Sequence, residues 1–186
     1  TVDVINTTSF TDRFVNGVSY TTSSGLSGLT GSAGVAGQFS YRAGDEITFK
    51  IGNVTIAKFS ASVIQGDILF LQDIAGTTLS DTNSMYVENM AIFLQALAEG
   101  LKDSNATDGV LRTNDIINNS TDNINITQAI RDLFATYANF DLSTSDKVQL
   151  SQALAHAGIE FTEASERDAS GNNVFETMAM QHVVAT

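Results

Sequence analysis

The hydrophobic period changes once along the chain, from about two before Gln72 to about 3.6 after it. A period of two is that of a strand with one buried face, and 3.6 is that of an amphipathic helix. Strand-like segments followed by helix-like segments, without regular alternation, favour an α+β fold over a doubly wound parallel sheet. We therefore expect an N-terminal antiparallel β-sandwich-like part packed with a C-terminal part of about three helices.

Four short runs before Gln72 are rich in β-branched and aromatic residues and are broken by Gly: FVNGVSYTTSSG, GQFSYRAGD, EITFKIGN and VTIAKFSA. This composition is typical of strands. Alternation with polar residues places Phe39 and Tyr41 on one sheet face. The same alternation places Ile47, Phe49 and Ile51 together, as in a half-buried sheet.

Two turns are predicted between these strands. Arg42–Asp45 and Gly52–Asn53 supply Gly and Asx residues, which tolerate the positive φ of tight hairpins. The chain has no Pro, so its turns depend on Gly and on Asx hydrogen bonds. We expect both turns to close hairpins in a compact sandwich of short strands.

Apolar residues at helical spacing predict three helices, each with one stripe. The first begins at Ser84 as N-cap, and its apolar residues follow helical spacing: Tyr86, Val87, Met90, Phe93, Leu94, Leu97 and Leu101. The second is indicated by Asn125 with Gln128 as a capping box, followed by the stripe Ile126, Ile130, Leu133, Phe134 and Tyr137. Such stripes are typical of helices that face a core.

The third helix is predicted to start near Ser143, with Asp146 as its reciprocal cap, and to end at Gly158. A strand-like tract over 159–161 follows. The helix has the apolar stripe Val148, Leu150, Ala153, Leu154 and Ala157.

Length and composition favour a single folded unit. A chain of 186 residues with 42% hydrophobic residues can bury a core, and it has no apolar run near the ~20 residues of a membrane span. We expect one module over 1–186, mainly β over 1–72, mainly α over 84–158, and extended or made of short elements over 159–186. The start, without Met or signal features, favours a fragment of a larger protein.

The chain is strongly acidic, with 9 Lys and Arg against 21 Asp and Glu, a net charge of −12. Such a surface repels phosphate backbones, so nucleic acid is not an expected partner. The carboxylates indicate either a solvated, salt-tolerant surface or neutralisation by hard cations such as Ca²⁺. There is no Cys, which excludes disulfides and thiolate metal sites.

The segment 102–109, directly after the first predicted helix, carries oxygen side chains at short intervals. Calcium takes six to eight oxygen ligands, and Asp103, Asn105 and Asp108 could converge with backbone carbonyls around it. An Asx-rich turn after a helix has the same composition. The spacing alone leaves both interpretations open.

Other segments show a weaker alternation of oxygen donors. Asp168 and Asn172 lie in one of them, at 168–173, and Asn118–Asn123 and the pair Asp81 and Asn83 are similar. We include Asp168 and Asn172 among the predicted metal ligands.

Catalytic patterns are weak. His156 and His182 are far apart and have no zinc-ligand spacing, so we expect structural or surface roles. No Gly-x-Ser-x-Gly elbow is present, and the pair Glu160 and Glu163 lacks a recognisable pocket. We therefore expect a protein that is not an enzyme, with a hydrolase as the remotest alternative.

Three stretches resemble a signature of bacterial surface and secreted modules. Val15–Gly25 with Gly28–Thr30 is similar to a strand ending in xYxTxSGxxGxT, and Gly37–Gly52 is similar to GxFxYxxGDxVTFxIG. Glu88–Leu97 is similar to the N-x-A-x-x-L-Q-x-L helix that follows in such modules. The resemblance covers roughly half the chain.

Among families with this combination, the chain most resembles the peptide-binding domain near the distal end of giant repeats-in-toxin (RTX) adhesins. The resemblance implies a secreted or cell-surface location and calcium-dependent capture of protein C-termini on other cells. With the spacing above, we expect Asp103, Asn105, Asp108, Asp168 and Asn172 as Ca²⁺ ligands, and Asp103 and Asp108 as ligand-binding residues.

Two alternatives share the location. Carbohydrate modules also use Ca²⁺, to bridge vicinal hydroxyls, so the partner could be a glycan instead of a peptide or protein C-terminus. A structural spacer in which calcium only stiffens the fold is the other. The high negative charge favours a monomer. We expect it to be a module within a larger chain, and the lack of a long apolar run argues against membrane insertion.

Overall fold

The computed structural model describes residues 4–11, 14–76 and 124–160, and between 76 and 124 the residues 86, 87, 89, 90, 93, 94, 97, 111 and 112. Over these residues most strands precede the longer helices. This confirms the predicted α+β fold with a strand-rich N-terminal part.

The strands of the described residues are β1 Asn6–Thr11, β2 Val15–Asn16, β3 Ser19–Thr22, β4 Ser27–Leu29, β5 Gln38–Tyr41, β6 Glu46–Ile51, β7 Val54–Ser60, β8 Ile68–Phe70, β9 Leu111–Arg112, β10 Ile124–Asn125, β11 Phe140–Asp141 and β12 Ile159–Glu160. The helices are α1 Leu71–Ala75, α2 with its described residues between 86 and 97, α3 Gln128–Ala135 and α4 Lys147–His156. Short 3₁₀ turns lie at Ala61–Val63 and Leu142–Thr144.

Two sheets form a sandwich. One has the order β5-β1-β8, and the other has the order β11-β7-β6-β3-β4. Aromatic rings meet between them: the Phe49 ring lies 4.8 Å from the Phe10 ring and 5.0 Å from the Phe39 ring, centroid to centroid. The predicted inward face is confirmed, because Ile47, Phe49 and Ile51 are all fully buried.

One of the two predicted hairpins is confirmed. Gly52–Asn53 joins β6 to β7 with Ile51 opposite Val54, and Gly52 has φ +57°. The prediction for Arg42–Asp45 is wrong, because that turn connects β5 in one sheet to β6 in the other. Its Gly and Asp reverse the chain, but turn residues do not determine which sheet the next strand joins.

Strand pairing in the sandwich is less uniformly antiparallel than expected. β3, β4, β6 and β7 pair antiparallel, as does β1 with β5. By contrast, β8 pairs parallel with β1 and β11 parallel with β7. Outside the two sheets, β10 pairs parallel with β2 and β12 parallel with β9.

The described residues of α2 are helical, and five of its predicted stripe residues are fully buried: Val87, Met90, Phe93, Leu94 and Leu97. The N-cap prediction for α3 is wrong: Thr127 is the N-cap and accepts from the Ile130 backbone N–H. Asn125 lies instead in β10, because its backbone pairs with β2.

The cap prediction for α4 is confirmed, since Asp146 and Gln149 form a reciprocal capping box. Ser143 lies in a 3₁₀ turn before the helix. In the predicted stripe, Leu150, Ala153 and Leu154 are buried, but Val148 is 65% exposed. None of the helical segments in the described residues is long and apolar enough to cross a membrane.

The end of α3 packs against the β6–β7 turn. A Cβ on Gly52 would overlap the backbone of Phe134, so only Gly fits there. The Asn53 side-chain amide donates to the carbonyls of Ala135 at 2.9 Å and Tyr137 at 2.7 Å. These two carbonyls at the helix end are thereby satisfied by a side chain of the sandwich.

The start of α3 is fastened to the residues around β2. The Arg131 guanidinium donates to the carbonyls of Gly17 and Ile126, both at 2.8 Å. The Asn16 side chain donates to the Asn125 side chain at 2.9 Å and accepts from the Gly37 N–H at 2.7 Å. Polar side chains therefore hold both ends of α3, its C-terminal end to the β6–β7 turn and its start to the residues around β2.

Candidate functional site

The predicted calcium ligands Asp103, Asn105, Asp108, Asp168 and Asn172 all lie outside the described residues. This includes Asp103 and Asp108, the predicted ligand-binding residues. Among the described residues, no three Asp, Glu or His side chains cluster in a way that could hold a metal ion. The metal prediction therefore concerns the two acidic segments and stays a prediction.

The described residues next to those segments pair with one another. β9 begins three residues after Asp108, and β12 ends eight residues before Asp168. The two strands pair parallel, with Leu111 opposite Ile159 and Arg112 opposite Glu160. The two acidic segments, which are about 60 residues apart in sequence, are thus each joined through the chain to one strand of the same two-stranded ribbon.

Chain length limits how far the predicted ligands can lie from that ribbon. Neighbouring strands are about 4.8 Å apart and rise about 3.3 Å per residue, so Leu111 and Glu160 are about 6 Å apart. Three residues span at most about 11 Å, which bounds the distance of Asp108 from β9. Eight residues span at most about 29 Å, which bounds the distance of Asp168 from β12.

Asp45 is the buried carboxylate of the described residues, with 4% of its surface exposed. It accepts from the Arg42 N–H at 2.7 Å, from the Ser24 hydroxyl at 2.8 Å and from the Ser23 hydroxyl at 3.4 Å. Burial raises the pKa of Asp45, and these hydrogen bonds lower it by more, so the pKa lies below its usual value. The carboxylate fastens the β3–β4 turn to the turn before β6.

Two further polar side chains connect α2 to its surroundings. The Tyr86 hydroxyl donates to the Ile56 carbonyl at 2.7 Å, and burial, followed by the nearby charge of Asp141, raises the pKa of Tyr86. The Asn89 side chain is fully buried and donates to the Ser145 carbonyl at 3.2 Å. A hydroxyl with a raised pKa that already donates to a carbonyl is a poor acid or nucleophile, so these contacts are structural.

His156 lies among aromatic rings at the end of α4. Its ring centroid is 4.9 Å from that of Tyr137 and 5.5 Å from that of Phe134. Its Nε2 is 2.8 Å from the Leu133 carbonyl oxygen, so Nε2 carries the proton that is donated there. This agrees with the structural role predicted for His156, whereas His182 lies outside the described residues.

Comparison of the chain with protein-family models, with curated proteins and with solved structures found no match.

Proposed function

We propose that this chain is a calcium-dependent ligand-binding module of a large bacterial surface adhesin, and that it captures peptide or protein C-termini on target cells. The proposed Ca²⁺ ligands are Asp103, Asn105, Asp108, Asp168 and Asn172. The protein acts outside the cell, as a non-catalytic monomeric unit of a longer chain. A net charge of −12 makes a bound cation the natural means of attracting an anionic ligand.

The resemblance to adhesin modules is one support for the proposal. Val15–Gly25 and Gly28–Thr30 contribute β2, β3 and β4, and Gly37–Gly52 contributes β5 and β6. The described residues within Glu88–Leu97 are helical, as in the family pattern. The resembling stretches therefore coincide with regular elements, in the expected order.

The observation that carries the proposal is the pairing of β9 with β12. It connects the segment with Asp103, Asn105 and Asp108 to the segment with Asp168 and Asn172. Calcium takes six to eight oxygen ligands, and side chains from two segments would supply more of them than one segment alone. A site of this kind would stabilise the fold as well, because the ion binds only the native state.

Thermal unfolding tests the calcium requirement. The protein is melted with excess EDTA, with millimolar Mg²⁺ and with millimolar Ca²⁺. Calcium at 100 times its dissociation constant adds about 2.7 kcal/mol, which raises the melting temperature of a chain of this size by about 5–10 °C. A melting temperature that is equal in EDTA and in Ca²⁺ would overturn the calcium proposal.

Two matched variants locate the ion. Asp108→Asn should weaken Ca²⁺ binding by at least about 10-fold in isothermal titration, because a charged ligand is replaced by a neutral one. Asp67→Asn is the control, since Asp67 is exposed and lies in the sandwich before β8. Equal affinities of the two variants would remove Asp108 from the site.

Peptide binding is tested separately. Short peptides with a free C-terminal carboxylate are compared with the same peptides amidated at the C-terminus, in Ca²⁺ and in EDTA. We expect binding only of the free peptides and only in Ca²⁺. A glycan array that is positive in Ca²⁺, while all peptides fail, would replace the peptide by a carbohydrate as ligand.

A further inference from the structure

One Asn-Gly pair occurs in the chain, where Asn16 ends β2 and Gly17 follows it. Asn is a chemically labile residue, and it is most labile before Gly, because Gly has no side chain to hinder the backbone nitrogen that follows the Asn. That nitrogen can attack the side-chain carbon Cγ of Asn16 and close a succinimide ring. The pair is therefore a candidate site of covalent modification that needs no reagent other than water.

The reaction at such a pair has two steps. As the bond from the Gly17 nitrogen to Cγ of Asn16 forms, the bond from Cγ to Nδ2 breaks, and Nδ2 leaves as ammonia with the proton of the Gly17 N–H. Water then opens the succinimide ring at one of its two carbonyls. Opening on one side gives aspartate at position 16, and opening on the other side gives isoaspartate, whose backbone is longer by one methylene.

In the fold, the peptide group between Asn16 and Gly17 is hydrogen-bonded on both sides. The Asn16 carbonyl accepts from the Ile126 N–H at 2.8 Å, and the Gly17 N–H donates to the Thr30 carbonyl at 2.8 Å. Ring closure requires this peptide group to turn out of its extended strand geometry, so that the Gly17 nitrogen approaches Cγ. Both hydrogen bonds oppose that rotation.

The carboxamide of Asn16 is held as well. Its Oδ1 accepts from the Gly37 N–H at 2.7 Å, and its Nδ2 donates to the Asn125 side chain at 2.9 Å. A Cβ on Gly31 would overlap this carboxamide, so the carboxamide packs directly on the Gly31 backbone. The group that would be attacked is therefore fixed by three contacts that do not involve Gly17.

Several of these restraints come from the start of α3 and the residues just before it. Asn125 and Ile126 precede the helix, and Arg131 within it donates to the Gly17 carbonyl at 2.8 Å. A Cβ on Gly17 would overlap the Ile126 carbonyl, so Gly17 fits closely against the same segment. Displacement of this segment would release the peptide group on one side and Nδ2 of Asn16 as well.

We propose that Asn16–Gly17 is a deamidation site that the start of α3 keeps closed, and that its conversion to aspartate or isoaspartate marks molecules in which this segment has opened. Neither product restores the original contacts. Aspartate has no Nδ2–H to donate to Asn125, and isoaspartate displaces Gly17 from its close fit against Ile126. The modification thus loosens the attachment that had prevented it. The site requires neither calcium nor a peptide ligand.

The first test compares the folded protein with a synthetic peptide of residues 11–22. Both are incubated at mildly alkaline pH, and the two products are quantified by peptide mass spectrometry. Because the folded protein reacts only while it is open, we expect Asn16 to react at least about 100-fold more slowly there than in the peptide. The same peptide with Asn16→Gln is the control that assigns the mass change to this position. Equal rates in the folded protein and the peptide would overturn the proposal.

The second test identifies the opening that admits the reaction. Arg131→Gln removes the guanidinium that holds Gly17 at the start of α3, and Asn53→Ala removes contacts at the other end of the helix. We expect the rate at Asn16 in the folded protein to rise at least about 5-fold for Arg131→Gln and less than about 2-fold for Asn53→Ala. Rates that follow the loss of overall stability in both variants would show that only global unfolding admits the reaction, which would overturn the role of α3.

If either variant does not fold, the wild type answers the same question. Its reaction rate at Asn16 is measured at increasing urea concentrations below the unfolding transition. A local opening exposes little surface, so we expect the rate to rise far less steeply with urea than the unfolding constant does. A rate that parallels the unfolding constant would contradict local opening at α3.

The last test concerns the consequence of the modification. Asn16→Asp supplies one product directly, and Asn6→Asp in β1 is the matched control. We expect the Ile126 N–H to exchange with solvent at least about 5-fold faster than in the wild type for Asn16→Asp, and within about 2-fold of it for Asn6→Asp. Unchanged exchange of Ile126 in Asn16→Asp would overturn the proposed loosening.

Discussion

The β-sandwich and helix α3 are held in place by different kinds of contact. Inside the sandwich, apolar rings from both sheets meet directly: Phe49 contacts Phe10, Phe39 and Phe59. Helix α3 also buries apolar residues, but each of its ends is fastened by a polar side chain, Asn53 at one end and Arg131 at the other. The sandwich depends on filled volume, whereas the position of α3 also depends on individual hydrogen bonds and on Gly52.

The core contacts therefore mainly stabilise the fold, whereas the hydrogen bonds at the ends of α3 mainly fix the position of that helix. A buried aromatic core contributes non-directional free energy in proportion to the apolar area that it removes from water. A hydrogen bond contributes about 1 kcal/mol net but requires a defined geometry. Losses at the core should therefore be large and global, and losses at the ends of α3 should be smaller and depend on the chemistry of each contact.

Phe49→Ala should have the largest effect. It removes the ring at the centre of the sandwich and leaves a cavity, which costs about 3–5 kcal/mol of unfolding free energy. Chemical denaturation monitored by circular dichroism measures it. Val148→Ala is the control, because Val148 is 65% exposed and should change stability by less than about 0.5 kcal/mol. Similar losses for the two variants would show that the sandwich core is not the main source of stability.

Gly52→Ala should cause the second-largest loss of unfolding free energy. Gly52 has φ +57°, and a Cβ there would overlap the backbone at the end of α3, so strain and displacement together cost about 3 kcal/mol. Gly44→Ala is the matched control, since Gly44 has φ +82° but open space around it. It should cost about 1 kcal/mol. Equal costs would mean that close packing against α3 contributes nothing.

Asn53→Ala should cost about 1–2 kcal/mol, because it leaves the carbonyls of Ala135 and Tyr137 without their side-chain donor. Asn53→Asp should cost more at neutral pH, since a carboxylate would then face two carbonyl oxygens. Both are measured by urea denaturation at pH 7. A milder effect of Asp than of Ala would contradict the assigned hydrogen bonds.

Asp45→Asn should have the smallest effect on the free energy of unfolding. Its effect should also depend on pH. The folded pKa of Asp45 lies below its unfolded value of about 3.9, so the charged form stabilises the fold above that pH. This contribution is lost as pH falls through the folded pKa. The stability difference from the wild type should therefore be constant near pH 7 and narrow below about pH 4.

Urea denaturation from pH 7 to pH 2.5 measures this narrowing. Asp67→Asn is the control, because the Asp67 side chain makes no hydrogen bond within the described residues and is exposed. Its difference from the wild type should stay small throughout. A difference for Asp45→Asn that is independent of pH would show that hydrogen bonds to the charged carboxylate are not what stabilises the turn.

Local patterns predicted much of the fold. Alternation over β6 placed Ile47, Phe49 and Ile51 in the core, and the capping box of Asp146 marked the start of α4. Both signals act over a few residues, so a single sequence contains them. Long-range pairing was not predictable: Asn125 matches a helix cap by composition, but its backbone pairs with Asn16.

The prediction of the functional site also came from a local pattern. Spacing of oxygen side chains suggested Asp103, Asn105 and Asp108, which lie outside the described residues, so that prediction stands untested.

The hydrogen bond between the Asn16 and Asn125 side chains also has a consequence for the order of folding. These two residues are 109 positions apart, whereas β6 and β7 are joined by the two-residue turn Gly52–Asn53. Closing a long loop costs more chain entropy than closing a short hairpin, so contacts of high sequence separation form late. Hydrogen exchange during refolding should therefore protect the β6–β7 amides first and those of β10 and α3 afterwards.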